Sequence, residues 1–162
     1  MVRRFLAVLA AVVVPLTACG GEAKAAPATV TDPPETTIDP TTPRQTAYFI
    51  AVAPYNDGVL QLNHDPQSTF DQKKAYCATV APLGEQFART LKGYTGWGDA
   101  QPEIDHLVAA SGAAAKLQHE CAEAATPGEL DSVVSQLGPA NAENDLAVAK
   151  VRQKLGLGAI GG

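Results

Sequence analysis

From Thr42 onward the apolar positions of this chain recur at helical spacing. Tyr48, Val52, Tyr55, Val59 and Leu62 follow at intervals of four, three, four and three residues, which puts them on one helix face. Thr42-Pro43-Arg44-Gln45 reads as the start, with Thr as N-cap, Pro at the first helical position and Gln three residues beyond the cap. Asn63-His64-Asp65-Pro66 breaks the run. A second run opens at Ser68, with Asp71 three residues on, and carries Phe70, Cys77, Val80, Gly84, Phe87, Leu91 and Tyr94 on one face. Gly93, Gly96 and Gly98 mark the loop after it. The third run starts near Asp99 and carries Ile104, Leu107, Val108, Ser111, Ala114 and Cys121. Thr126-Pro127-Gly128-Glu129 caps a fourth, through Leu130, Val134, Leu137, Val148, Val151 and Leu155. Gly156 and Gly158 end it, just after Arg152 and Lys154, whose charges suit a helix C-terminus.

No stretch alternates with period two between turn signals, so strands are not expected. Amphipathic runs joined by short connections predict an all-α fold, an antiparallel four-helix bundle over 44–158 with a tail at 159–162. Pro54, Pro82 and Pro139 fall inside three of the predicted helices and should each kink or split its helix. Gly138-Pro139 is the expected break, so that the first and fourth runs are each open to being two shorter segments.

The first forty residues follow a different pattern. Met1-Val2-Arg3-Arg4 is a short basic start, and Phe5 to Val14 is an apolar run of ten residues. A spanning helix needs about 20 such residues, so residues 1–18 read as a signal peptide. Leu16-Thr17-Ala18-Cys19 follows directly and resembles the lipobox of bacterial lipoproteins, which reads aliphatic, small, small, cysteine. The resemblance implies diacylglycerol on the Cys19 thiol, cleavage in front of Cys19, and an N-acyl chain on the new amino terminus. An ordinary secretory signal with a chance cysteine is the alternative, although such cleavage sites read A-x-A. Residues 19–43 then form a linker: from Glu22 to Pro43 there are five prolines, six threonines and almost no large apolar residue. Such a segment buries too little to offset its ordering entropy and is expected to be a disordered tether. Its Thr-Pro richness is either a plain spacer or an O-glycosylation substrate.

Net charge is −5, and removing residues 1–18 takes away Arg3 and Arg4 and no acid, leaving 10 basic against 17 acidic residues. That balance argues against nucleic acid as a partner, since phosphate binding needs clustered Lys and Arg. With Cys19 acylated, Cys77 and Cys121 remain, and outside the cytoplasm a pair is expected to form a disulfide. The midpoint between them is residue 99, in the loop placed independently between the second and third runs. In an antiparallel hairpin, residues equidistant from the turn are neighbours. Two buried free thiols are the alternative.

Three further stretches carry a family resemblance: Tyr48-Phe49-Ile50-Ala51-Val52-Ala53-Pro54-Tyr55-Asn56, Trp97-Gly98-Asp99-Ala100-Gln101-Pro102-Glu103-Ile104-Asp105, and Asn141-Ala142-Glu143-Asn144 running on to Arg152-Gln153-Lys154-Leu155-Gly156-Leu157. With the lipobox, they make the chain similar to small actinobacterial lipoproteins and secreted proteins. That likeness implies a helical, envelope-facing domain and supplies neither an activity nor site residues.

Chemical motifs are few. Glu103-x-x-His106 matches one Glu-x-x-His unit of di-iron bundles, which need two units and two more Glu, and His106 falls opposite Ile104 on its helix. His106 and His119 are about 20 Å apart along one helix and cannot share an ion. His64 sits in a turn, and His119-x-Cys121 offers a ligand pair only if the thiol is free. No nucleophile elbow, P-loop or dinucleotide fingerprint occurs, and Ser111 is best read as a small residue allowing close helix approach. Asn141 and Asn144 fall near the apolar stripe of the fourth run, and Tyr48 and Tyr55 bring hydroxyls to the stripe of the first. They form either a structural polar network or a small-ligand pocket. Trp97, between glycines, either caps the bundle end or marks a partner contact. The reading that results is a non-enzymatic envelope lipoprotein at the extracytoplasmic face of the cell membrane. It needs no cofactor or metal and acts through its helical domain as an interaction module for another envelope protein. The alternative is a carrier or sensor of a small apolar ligand.

Overall fold

The computed structural model describes residues 42–62 and 69–158. The expected signal peptide, Cys19, the expected tether up to residue 41, His64 with its expected turn, and residues 159–162 lie outside the described residues. Four helices follow in order: α1 (Pro43–Leu62), α2 (Phe70–Gly93), α3 (Gln101–Glu123) and α4 (Pro127–Lys154), with a 3-10 turn over Gly98–Ala100 leading into α3. They form an antiparallel bundle, and no strand occurs among the described residues.

Local chemistry sets most of the ends. Thr42 and Gln45 exchange hydrogen bonds, Gln45 N to Thr42 Oγ1 at 3.2 Å and Thr42 N to Gln45 Oε1 at 3.0 Å. Thr126 and Glu129 do the same for α4. In α2 the box is Thr69 with Gln72, one residue later than the expected Ser68 with Asp71. A box needs a side chain long enough to return to the cap amide, and Gln has the extra methylene that Asp lacks. The end of α4 is a Schellman turn: Leu157 N reaches Arg152 O at 2.8 Å and Gly156 N reaches Gln153 O at 3.1 Å, with Gly156 at φ +71°.

The prolines do not split their helices. Pro54, Pro82 and Pro139 lie inside continuous α1, α2 and α4, so the expected break at Gly138-Pro139 is absent and α1 and α4 are single elements. All three rings are on exposed faces, where water takes over the carbonyl that loses its N–H partner.

α2 and α3 make the closest pairing, α4 packs along α3, and α1 packs along α2. Small residues permit the central contact: a Cβ added at Gly84 would lie 3.3 Å from the Ala115 Cβ. Cys77 and Cys121 form a disulfide across the same pair of helices, with Cα atoms 5.9 Å apart. One buried cluster runs from Tyr48 and Val52 of α1 through Phe87 and Leu91 of α2 and Ile104 and Leu107 of α3 to Val148 and Val151 of α4. A second surrounds the disulfide with Ala124 and Leu130.

Trp97 closes the loop end of the first cluster. It is fully buried, its Nε1 donates to Leu91 O at 3.0 Å, and the Tyr94 ring meets it edge-on at 4.8 Å. It therefore caps the bundle end and, contrary to the alternative of a partner contact, presents no surface to a partner. Asp99 in the same loop pairs with Arg44 and, at 3.4 Å, with Lys154, and both cations hold its carboxyl below the usual range. Gln45 Nε2 donates to Leu155 O at 2.8 Å, so the start of α1, the α2–α3 loop and the end of α4 are tied together.

Because Pro139 interrupts an exposed, continuous helix, Pro139→Ala should raise stability by about 1–3 kcal/mol in urea unfolding. Unchanged or lowered stability would mean that α4 needs the bend to pack.

Candidate functional site

α1 and α4 approach each other closely at few backbone positions, and the seam between them opens onto a cleft at mid-height of the bundle. Its floor is made by the closely packed pair, Gly84 of α2 and Ser111, Ala115 and Gln118 of α3, and its walls are Tyr55 of α1 and Asn141 and Asn144 of α4. The space inside is about 10 Å³, room for about one water molecule. Gly84 lies at its floor, where an added Cβ would be 3.3 Å from Ala115 Cβ and 3.8 Å from Gln118 Oε1.

The lining is polar and uncharged. Ser111 Oγ donates to Asn144 Oδ1 at 2.7 Å, which leaves the Asn144 amide N–H groups for another acceptor. Gln118 is only 7% exposed, and its carboxamide makes no hydrogen bond to another described residue. The Tyr55 ring packs against Phe87 with centroids 5.8 Å apart. Burial first, with the nearby Tyr76 and Asp145 adding to it, pushes the Tyr55 phenol up to about 12, so it remains an O–H donor at physiological pH. Burial also raises the Asp145 carboxyl.

Of the four residues expected to share a site, Tyr55, Asn141 and Asn144 line this cleft, and Tyr48 does not. Tyr48 is fully buried in the main cluster, with its hydroxyl near the Arg152 guanidinium but making no hydrogen bond of ordinary geometry. Burial lifts its phenol to about 12, and the Arg152 charge offsets part of that rise. Arg152 is itself buried and donates to Leu157 O at 3.2 Å and Gly158 O at 3.3 Å. Sequence reading gave it only a helix-end charge, because an arginine at a terminus ordinarily stays solvated. Ser111 serves the site as well as the close helix approach, and Gln118 joins it unforeseen; the signal for both is a polar residue on the inner face of an otherwise alanine-rich helix.

The histidines serve cross-helix pairs. His106 Nε2 lies 2.8 Å from Glu143 Oε1 of α4, and His119 Nε2 lies 3.0 Å from Glu85 Oε1 of α2. The His119 hydrogen bond, with one from Arg89, lowers the Glu85 carboxyl. Both histidines are half-exposed, and such pairs contribute little each. Among the described residues no three His, Cys, Asp or Glu side chains gather as a metal site. No helix of the described residues is long and apolar enough to cross a membrane. No family model, curated protein or solved structure matches this chain.

Tyr48 and Tyr55 have folded values near 12 against about 10 in an unfolded chain, so their contribution to stability is full below pH 10 and is lost as the pH rises through 12. Phenolate absorbance of the wild type and of Tyr48→Phe and Tyr55→Phe should place both residues in the late, alkaline phase. Titration of either near pH 10 in the folded chain would show an accessible hydroxyl.

Proposed function

We propose that this chain is a lipid-anchored envelope protein, similar to small actinobacterial lipoproteins, whose helical domain is a non-enzymatic interaction module. Diacylglycerol and an N-acyl chain on Cys19 would hold it at the outer face of the cell membrane, because one chain binds weakly and two or more anchor stably. The observation that carries this reading is the division of the three cysteines: Cys19 ends Leu16-Thr17-Ala18-Cys19 behind an apolar run, and Cys77 and Cys121 are joined. Disulfides of this kind persist in oxidising compartments.

The site chemistry favours binding over catalysis. Ser111 donates to the amide of Asn144, which is no base, so it has no partner to activate it as a nucleophile. The histidines are paired with carboxylates and do not line the cleft. A carrier of apolar molecules needs several hundred Å³, against about 10 Å³ in the cleft. A recognition surface needs no such volume.

In-cell crosslinking with mass spectrometry on the native chain and on Cys19→Ala tests this. The expected result is a membrane-bound native protein that captures one dominant envelope partner, and a Cys19→Ala protein that is shed or left uncleaved and loses that partner. A processed Cys19→Ala protein still in the membrane fraction overturns the anchor, and capture of nothing above background overturns the interaction module.

A further inference from the structure

We propose that the cleft between α1 and α4 is a binding site for a neutral hydroxyl group, presented by a carbohydrate or similar polyol. The inference deepens the interaction reading by naming what the domain recognises, and rests on it only for where that ligand is met.

The buried amide is the starting point. Gln118 is nine-tenths buried, has no protein hydrogen bond among the described residues, and opens onto the cleft. Its carboxamide reaches the open cleft and offers an occupant there both a donor and an acceptor. Asn144 contributes N–H donors, since Ser111 already occupies its oxygen, and Asn141 contributes a carboxamide at the mouth. Tyr55 contributes a phenol held in its O–H form.

Charge and size narrow the class. No Lys, Arg, His, Asp or Glu lines the cleft, so a carboxylate, phosphate or ammonium group would lose its hydration without a counter-charge. About 10 Å³ has room for about one oxygen atom. A hydroxyl matches, being a donor and a double acceptor through a single atom. Water meets the same need when no ligand is bound. The partly exposed Tyr55 ring, packed on the buried Phe87, gives an apolar edge for the ligand's C–H groups, and Asn141 is exposed at the lining.

Side-chain amide NMR of the full mature chain, titrated with methyl β-D-glucopyranoside, tests the proposal, with sodium acetate and methylammonium chloride as charged controls. Saturable shifts at Gln118 and Asn144 with the glucoside alone are expected. Gly84→Ala, which fills the floor, and Gln118→Leu, which keeps the volume and removes the amide, should each weaken the response at least about tenfold. Gln118→Leu carries the test by itself if Gly84→Ala fails to fold. Shifts shared with either salt, equal binding by Gln118→Leu, or a long-lived water beside Gln118 with no glucoside response would overturn the proposal. None of these readouts involves Cys19, so this result and that of the anchor are read separately.

Discussion

The covalently closed α2–α3 hairpin is the constraint on which the rest of the structure depends. Two helices approach closely only where their facing side chains are small, and Gly84, Ala81, Ser111, Ala114 and Ala115 supply that strip among the buried residues. Small side chains bury little apolar area, so this contact is weak in hydrophobic terms. The Cys77–Cys121 bridge offsets that weakness. With the cysteines 44 positions apart in sequence, loop-closure entropy assigns it about 4 kcal/mol. The large side chains are concentrated at the opposite end, where Trp97, Leu91, Ile104 and Leu107 meet Tyr48 and Val151.

α1 and α4 are arranged by this pair. Each packs on its own neighbour, and they meet mainly through side chains at the Trp97 end, where Asp99, Arg44, Lys154 and Gln45 fasten them. Midway along the seam the narrow floor of Gly84, Ser111 and Ala115 underlies the small polar cleft. The same packing that demands small residues thus creates a place where Gln118 is buried without a protein partner. Structure and candidate site have one cause.

Much of the fold was legible in the sequence because its signals are local. The apolar intervals gave the helices, two Thr-Pro capping boxes gave the starts of α1 and α4, and the midpoint of the cysteine pair gave the hairpin. The proline break failed because a ring on a solvated face costs a hydrogen bond without stopping a helix whose inner face is well packed. The site was only half legible. Asn141, Asn144 and Tyr55 could be assigned to inward stripes, but which inward polar groups meet depends on axial register. Tyr48 and Tyr55 lie seven residues apart on one face and end up in different surroundings, one beside Arg152 and the other on the cleft. The burial of Gln118 and Arg152 is not legible in their own residue types, because burial of a long polar side chain is a property of its neighbours. The resemblance to a lipobox rests on four consecutive residues, Leu16 to Cys19, and needs no fold to be read.

Native-state hydrogen exchange of the oxidised and reduced protein tests most directly whether the bridged hairpin carries the fold. The slowest amides should lie in α2 and α3, α1 should open at lower free energy than either, and reduction should lower the protection of the slowest amides by about 4 kcal/mol. Exchange of α1 in step with α2 and α3, with protection unchanged on reduction, would contradict it.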